Sequence, residues 1–439
     1  MRRTAFPLLL LFIALAARFV VAVARDLDRP PGEDGKGYFE IAGNLAAGRG
    51  FVLERTFPRG AGVVTLTLRS PRPPLWPAAL AAVRFAGGGP AAGRALAAVC
   101  GALSVLVFWL WARRLLPGGP AAVVALGFAL WPAHLFVCAD LYSEPLAMLL
   151  ALLALLALEG GRALPAGALF GLSVLARPAG VLLLVPMALF ALLAPAFAGR
   201  RLRATAALLL AAVAVPMPWF ARNAAIHGRP LLTTNAGVTF FGGNNERSLD
   251  VPFPGGWLRP QDVLREDPPA FGQFGFAGLS EEQSDREFLA RGLAFVRGQP
   301  ARWGKLLFFK AARFFDPDQH SAKPDRGLKR LVGWLSFAPV LLLAVCGALL
   351  TLRARWRGFL LVHGLIAAQL ATALMFYGDA RMRLPAEPAF LILAGLALAA
   401  LFVSVAKSAG DPHRGPRGRA RIACGFRALR GDRRSAEGT

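Results

Sequence analysis

Carboxylates are scarce in this chain of 439 residues, where 26 Asp and Glu stand against 50 Lys and Arg and leave a formal net charge of +24. Such an excess raises the question of nucleic acid, yet no basic stripe interleaved with aromatics sits on a soluble module. The basic residues gather instead at the ends of apolar runs, as expected when basic loops stay cytoplasmic. Cysteine is equally sparse. Cys100, Cys138, Cys346 and Cys424 are scattered, three of them in or beside apolar runs, which argues against a disulfide framework and against a cysteine metal site. None of the five histidines has zinc-ligand spacing, and His227 and His363 read as incidental. The chain shows no heptad repeat and no internal duplication. It has no Walker loop, no dinucleotide fingerprint and no visible Ser/His/Asp arrangement for nucleophilic attack.

What is abundant is apolar sequence, 56% of all residues, much of it in runs long enough to cross a bilayer. The fold class is therefore an all-α polytopic membrane protein, with about ten transmembrane helices by run length. The first run, 5–24, follows Arg2 and Arg3. Ala22-Val23-Ala24 resembles a signal-cleavage site, but the run is long for that role and many spans follow, so it reads as a retained anchor. The N-terminus is then cytoplasmic and residues 25–90 form a first outer loop. Further spans are read at 91–112, 119–137, 146–158, 164–176, 180–197, 204–220, 332–352, 358–376 and 386–406. Arg113-Arg114, Arg162, Arg200-Arg201 with Arg203, and Arg353, Arg355 and Arg357 mark inner ends.

Residues 221–331 lack a long apolar run and form a large outer loop. Within it, 285–313 pattern as two amphipathic helices split at Pro300 and lying at the interface. Residues 51–70 alternate like a short hairpin, and the helix after Pro77 is too short to span and reads as interfacial. One membrane-embedded domain thus covers 1–406. The Arg/Gly-rich tail 407–439 reads as a disordered basic cytoplasmic segment with at most an affinity for anionic lipid.

The stretch that organises the chain is 33–51. Glu33 and Asp34 sit on a Pro/Gly-rich turn, and Asp34 is placed to cap a helix whose apolar face is Tyr38, Ile41, Ala42, Leu45 and Ala46. In this topology Asp34, Arg72, Glu144, Arg177, Arg222, Asn223, Asn244, Asn245, Arg381 and Arg383 all fall on the outer face, at span ends or on loops touching them. Charges near membrane depth are costly, so they tend to face a cavity and one another. Several cations with one or two carboxylates suit a phosphate-bearing ligand and a proton to be removed. Arg84, Arg94 and Arg162 read as topology or snorkelling charges, Asp140 as a solvated helix-end acid, and Asn244-Asn245 as either a tight turn or an acceptor contact.

Seven segments occur in an order that resembles a known family. They are Asp34…Tyr38…Ala42…Leu45…Gly48-Arg49-Gly50-Phe51, Ser70-Pro71-Arg72-Pro73-Pro74-Leu75-Trp76-Pro77, Tyr142-Ser143-Glu144-Pro145, Leu175-Ala176-Arg177-Pro178, Pro218-Trp219-Phe220-Ala221-Arg222-Asn223, Gly242-Gly243-Asn244-Asn245 and Arg381-Met382-Arg383-Leu384-Pro385. The chain is similar over 6–400 to membrane glycosyltransferases of the C-type fold, in the branch of protein O-mannosyltransferases and the lipid A aminoarabinose transferase. The resemblance implies a catalytic Asp at Asp34, a second acid at Glu144 and a phosphate contact at Arg72, with further substrate contacts at Tyr38, Arg177, Arg222, Asn223, Asn244, Asn245, Arg381 and Arg383. Many relatives carry Asp-Glu where this chain has Glu33-Asp34, which leaves both acids as candidates for the base.

The implied reaction moves a sugar from a polyprenyl-phosphate donor to an acceptor hydroxyl on a protein, lipid or glycan. It proceeds with inversion on the outer face of a bacterial inner or plasma membrane. Membrane lipids surround the protein and nucleic acid has no part. No cofactor is required, because cations already neutralise the phosphate, and a divalent metal stays open. The rival class is a transporter or flippase. Transporters place ionisable residues at mid-membrane and often show repeats, whereas here the polar residues gather on one face. A non-catalytic assembly subunit is a third reading.

Overall fold

Apolar sequence punctuated by proline and glycine dictates a stack of helices. The computed structural model describes residues 2–408, apart from 28, 60, 61, 266–269, 319–326 and 355. The expectation for the tail lies, from 409 onward, outside the described residues, as does Cys424.

The long first run forms α1 (Arg2–Ala24), followed by α2 (Glu33–Ala46). An antiparallel hairpin comes next, β1 (Leu53–Arg59) and β2 (Gly62–Leu68), with Leu53 opposite Leu68. Leu53 and Leu68 are buried with Ile41 and Phe51, which fastens the hairpin to α2. The interfacial helix α3 (Leu75–Phe85) packs along α2. Helix α4 (Pro90–Leu115) begins with proline, where a missing N–H is harmless, and ends with Arg113 and Arg114 in its last turn, where cations suit the helix dipole.

Proline then breaks several segments. Helices α5 (Gly118–Ala129) and α6 (Pro132–Cys138) meet at 46° because the Pro132 ring and missing N–H stop the ladder. After α7 (Glu144–Glu159) comes α8 (Ala163–Ala176), and Pro178 forces Arg177 into extended backbone, φ −154° and ψ 113°. A 3-10 turn (Pro178–Leu183) leads into α9 (Leu184–Leu193). Helices α10 (Arg201–Ala214) and α11 (Met217–His227) are bent by 41° at Pro216.

The large outer segment carries α12 (Ala236–Gly243), α13 (Pro260–Val263), α14 (Glu281–Gly298) and α15 (Pro300–Phe315). Ser280 and Gln283 close a capping box at the start of α14. Pro300 opens α15, so the expected split is where sequence placed it. The chain ends in α16 (Leu328–Ala354), α17 (Leu360–Met375), the single turn α18 (Ala380–Arg383) and α19 (Glu387–Ser408).

Helix α7 packs on α4 and α8, α8 on α10, and α16 on α19. Small residues permit these approaches: a methyl group at Gly167 would collide with the Leu208 carbonyl of α10, and one at Gly347 with the Leu393 backbone of α19. The main core runs through α4, α5, α7, α9, α17 and α19, with Phe108, Phe128, Leu155, Met187, Leu361 and Ile392 all buried.

The architecture is all-α and integral to the membrane, crossing it more than once. The expected spans coincide with α-helix except 180–197, which is the end of a 3-10 turn, the ten-residue α9 and a second 3-10 turn, Pro195–Phe197. Among the described residues, four helices are long and apolar enough to cross alone, and six segments are if each bent pair counts as one. The helices at 163–176, 178–193 and 360–375 are shorter than a straight crossing needs.

Candidate active site

The site is assembled around α2, and the helix starts differently from the sequence expectation. Gly32 holds the N-cap position without a side-chain bond, Glu33 is the first helical residue, and Asp34 lies inside the first turn. Asp34 therefore does not cap α2. Two guanidiniums outcompete the helix N–H groups for its carboxylate: Arg72 Nη2 reaches Oδ1 at 2.7 Å and Arg381 Nη1 reaches Oδ2 at 2.6 Å. The apolar face of α2 sets this aim, since Tyr38 and Ala42 are buried against Trp76 and Leu80 of α3.

Arg72 stands on the limb between β2 and α3. The backbone N–H groups of Arg69 and Ser70 donate to Glu281 at 2.7 and 3.0 Å. The buried Ser70 hydroxyl donates to Asn223 at 2.8 Å and also meets His227 at 2.9 Å. Arg222 donates to Asn223 and to the Arg69 carbonyl, and its guanidinium lies 4.4 Å from the Trp219 ring centroid. Arg222 and Asn223 thus hold the limb that presents Arg72. They do not line the cavity.

Arg381 comes from α18. Asp379 accepts from the Arg381 backbone N–H at 2.7 Å and caps that turn. The Arg381 guanidinium sits 4.4 Å above Tyr142. Its Nε donates to Glu144, the first residue of α7, which is only 2% exposed. Arg177, turned out by the backbone ahead of Pro178, reaches the same Glu144 oxygen at 3.2 Å. The result is a chain of alternating charge, Arg72–Asp34–Arg381–Glu144–Arg177, with three cations and two carboxylates. Tyr38 packs at its end, its ring 5.4 Å from the Arg72 guanidinium and its hydroxyl 3.3 Å from Ser143. Burial works to raise the pKa of Asp34, but Arg72, Arg381 and Arg177 outweigh it and hold the carboxyl well below the usual range.

The chain borders a cavity of about 1730 Å³. Apolar side chains share its lining, among them Phe136 and Val137 of α6, Val181 and Leu182 of the 3-10 turn, and Met375 at the end of α17. Phe57, Trp257 and Phe271 close it on the side of the outer segment.

Three other expected contacts lie elsewhere. Arg383 is fully buried, its guanidinium committed to Glu387 at 3.2 Å and to the carbonyls of Phe314 and Asp316 at 2.9 and 2.5 Å, so it faces away from the cavity. Asn244 and Asn245 are buried with their side-chain amides on backbone carbonyls. Asn244 Oδ1 also accepts from Lys310 at 2.7 Å, and burial pushes that amine down to about 7. These asparagines hold turns, the second of the two readings drawn from sequence being unsupported by their contacts. Arg94 is buried on the carbonyls of Leu27 and Arg29 and is not the snorkelling charge expected, and Asp140 pairs with Arg29 at 2.9 Å and is not the solvated acid expected.

Sequence reasoning passed over Arg25 and Asp379, which both line the cavity. Asp379 had a legible signal, an Asp placed to cap the turn that carries Arg381. Arg25 looked like any basic residue closing an apolar run. Among the described residues no three His, Cys, Asp or Glu side chains group as a metal site. Three of the four oxygens of Asp34 and Glu144 already meet guanidiniums, so the residues present do not form a metal cradle.

Fold and site together define a multi-pass membrane protein with the C-type glycosyltransferase fold. Residues 71–220 match the family model described as dolichyl-phosphate-mannose-protein mannosyltransferase, which bears out the resemblance read from the sequence. The oligosaccharyltransferase of Archaeoglobus fulgidus, in a crystal structure tethered with an acceptor peptide containing the NVT sequon, superposes with a TM-score of 0.53 at 13% identity, covering 97% of this chain and 53% of that one. The same enzyme in the apo form gives 0.53 at 14% identity, covering 98% and 55%. This chain thus spans about half the length of those proteins. ArnT from Cupriavidus metallidurans bound to undecaprenyl phosphate overlaps at 0.42 and 18% identity, covering 92% of this chain and 80% of that one. No curated protein matches the chain by sequence.

Proposed function

We propose that this protein is a glycosyltransferase that takes a sugar from a polyprenyl-phosphate donor and places it on an acceptor hydroxyl at the extracytoplasmic face of a bacterial inner or plasma membrane. The observation that carries this reading is the juxtaposition in one cavity: residues of a charge chain with one cation in excess share the lining with apolar side chains from α6 and the segment after α8. A phosphate fits the guanidiniums, and a prenyl chain fits the apolar side chains. A ligand that joins the two is a lipid phosphate.

In this reading Asp34 accepts the proton of the acceptor hydroxyl as that oxygen attacks C1 of the sugar. The new C1–O bond forms on one face while the C1–O bond to the phosphate breaks on the other, so the anomeric configuration inverts. The electron pair leaves with the polyprenyl phosphate, whose growing charge meets Arg72 and Arg381. Glu144 holds Arg381 and Arg177 from behind. The arginines neutralise the leaving group, so no metal is assigned a step. The acceptor is a protein, lipid or glycan.

A direct transfer assay with purified protein and a radiolabelled polyprenyl-phosphate sugar tests the reading, with mass spectrometry of glycans and lipids after gene deletion to identify the acceptor. Movement of the lipid-linked sugar across a bilayer without turnover would replace the enzyme by a transporter.

A further inference from the structure

The charge chain poses a problem for its own base. A carboxylate with both oxygens on guanidiniums is a weak proton acceptor, and the guanidiniums on Asp34 are the two that suit the donor phosphate. Among the described residues, Arg72 has Asp34 as its one ion-pair partner. Arg381 differs, because its Nε is held separately by buried Glu144 while its Nη1 extends to Asp34. It also rests on the face of Tyr142, a surface along which a planar guanidinium turns without losing contact.

Resting on the glycosyltransferase reading above, we propose that the donor phosphate unmasks the base: Arg72 and the Nη1 end of Arg381 transfer from Asp34 to the phosphate, with Glu144 as the fixed point about which Arg381 turns. Asp34 then loses its two strongest partners and regains the basicity needed to take the acceptor proton. The acceptor is activated only where a donor is in place. Glu144 is thus a positioning residue acting through Arg381.

The charge count supports the exchange. Three cations and two carboxylates leave one positive charge, which a phosphodiester, with one negative charge, balances without further rearrangement. The groups facing Asp34 are Arg72 from the limb before α3, Arg381 from α18, Arg177 after α8, and the hydroxyls of Tyr142 and Tyr377, with Glu33 beside it on α2 and Glu144 beyond Arg381. Arg177 stays on Glu144 throughout. The carboxyl now held far below its usual range moves toward that range once the two guanidiniums leave.

The exchange is a competition, and competition has a sign. The probe is a methyl polyprenyl phosphodiester, which carries one negative charge at every pH used, so any pH dependence belongs to the protein. Binding to full-length protein in nanodiscs is measured between pH 4 and 7.5. Wild type should bind more tightly as pH falls toward 4, because the Asp34 released in the complex takes up a proton in the usual carboxylate range while in the free protein the arginines keep it ionised. Asp34→Asn should bind about tenfold or more tightly at pH 7 and lose that dependence, since the competing carboxylate is gone. Arg162→Ala, at an inner loop, should behave as wild type. Weaker or unchanged binding in Asp34→Asn, or a wild-type affinity flat with pH, overturns the exchange while leaving the lipid-phosphate reading in place. A probe that binds neither protein overturns the lipid-phosphate reading itself, and the exchange with it. If Asp34→Asn does not fold, the wild-type pH dependence decides alone.

Discussion

Asp34 and Glu33 are adjacent acids with opposite surroundings. Glu33 is exposed on the cavity rim, whereas Asp34 is held between two arginines. A base must be placed as well as basic, and only Asp34 is tied to the groups that suit the phosphate. Asp34→Asn should therefore lower sugar transfer by about 10²–10⁴-fold, the usual share of a general base, while Glu33→Gln stays within a few-fold. The transfer assay that shows Glu33→Gln inactive and Asp34→Asn active would move the base by one residue. Arg383 makes the complementary case. Its partner Glu387 is 1% exposed, and removing the cation strands a buried acid. Arg383→Ala should cost stability, by about 3–5 kcal/mol for a broken buried pair, seen as a lower thermal midpoint in detergent. Arg72→Ala should instead leave the midpoint near wild type and weaken donor use by about 1.5–3 kcal/mol. If the two variants behave alike in both measurements, the division between structural and site arginines is wrong.

At the scale of elements, the outer helices act as clamps on the segments that carry the arginines. Helix α15 holds the stretch before α18: Lys310 donates to the Leu374 carbonyl at 3.1 Å and Arg313 to that of Gly378 at 3.0 Å. Burial has pushed Lys310 down to about 7, against an unfolded value near 10.4. The unfolded chain then binds more protons between these values, so the contribution of Lys310 to stability rises as pH increases from about 7 to 10 and is at its least favourable below 7. Lys310→Met should flatten that part of the curve of thermal midpoint against pH. An equal slope in the two proteins would mean that Lys310 is not the titrating group. The hairpin, the split at Pro300 and a short interfacial helix near Pro77 were legible because proline and strict alternation act locally, although that helix starts at Leu75 and the first of the split pair at Glu281. The start of α2 was not legible, because its first turn is decided by arginines far along the chain.

For the whole molecule, the distribution of basic residues predicts the sidedness of the site. Reporter fusions should place residues 25–90 and 221–331 outside and residues 113–118 and 199–204 inside, as the arginine clusters require. Finding Arg113 and Asp34 on one side would dismantle the shared cavity, since α4 separates the two ends. Among the bent and short segments, α6 and the 3-10 turn after Pro178 line the cavity, where broken helices are tolerated because they line protein and not lipid.

Local chemistry was enough to read the helical class and the breaks at Pro178 and Pro300, because apolar periodicity and proline sterics depend on near neighbours alone; the bends at Pro132 and Pro216 fell inside runs read as single spans, and the candidacy of Asp34, Arg72, Glu144, Arg177 and Arg381 came from their shared face and from the ordered motifs. Which candidates meet depended on tertiary structure. Arg383 lies two residues from Arg381 yet its side chain is directed to Glu387, since successive positions on a helical turn point in different directions. Asn223 and Arg222 became supports for Arg72 through Ser70, a contact across more than 150 positions that no local pattern encodes. The pairing of one carboxylate with two arginines, from limbs brought together by packing of α2, α3, α7 and α18, is a property of the folded molecule because each charge lowers the cost of burying the next.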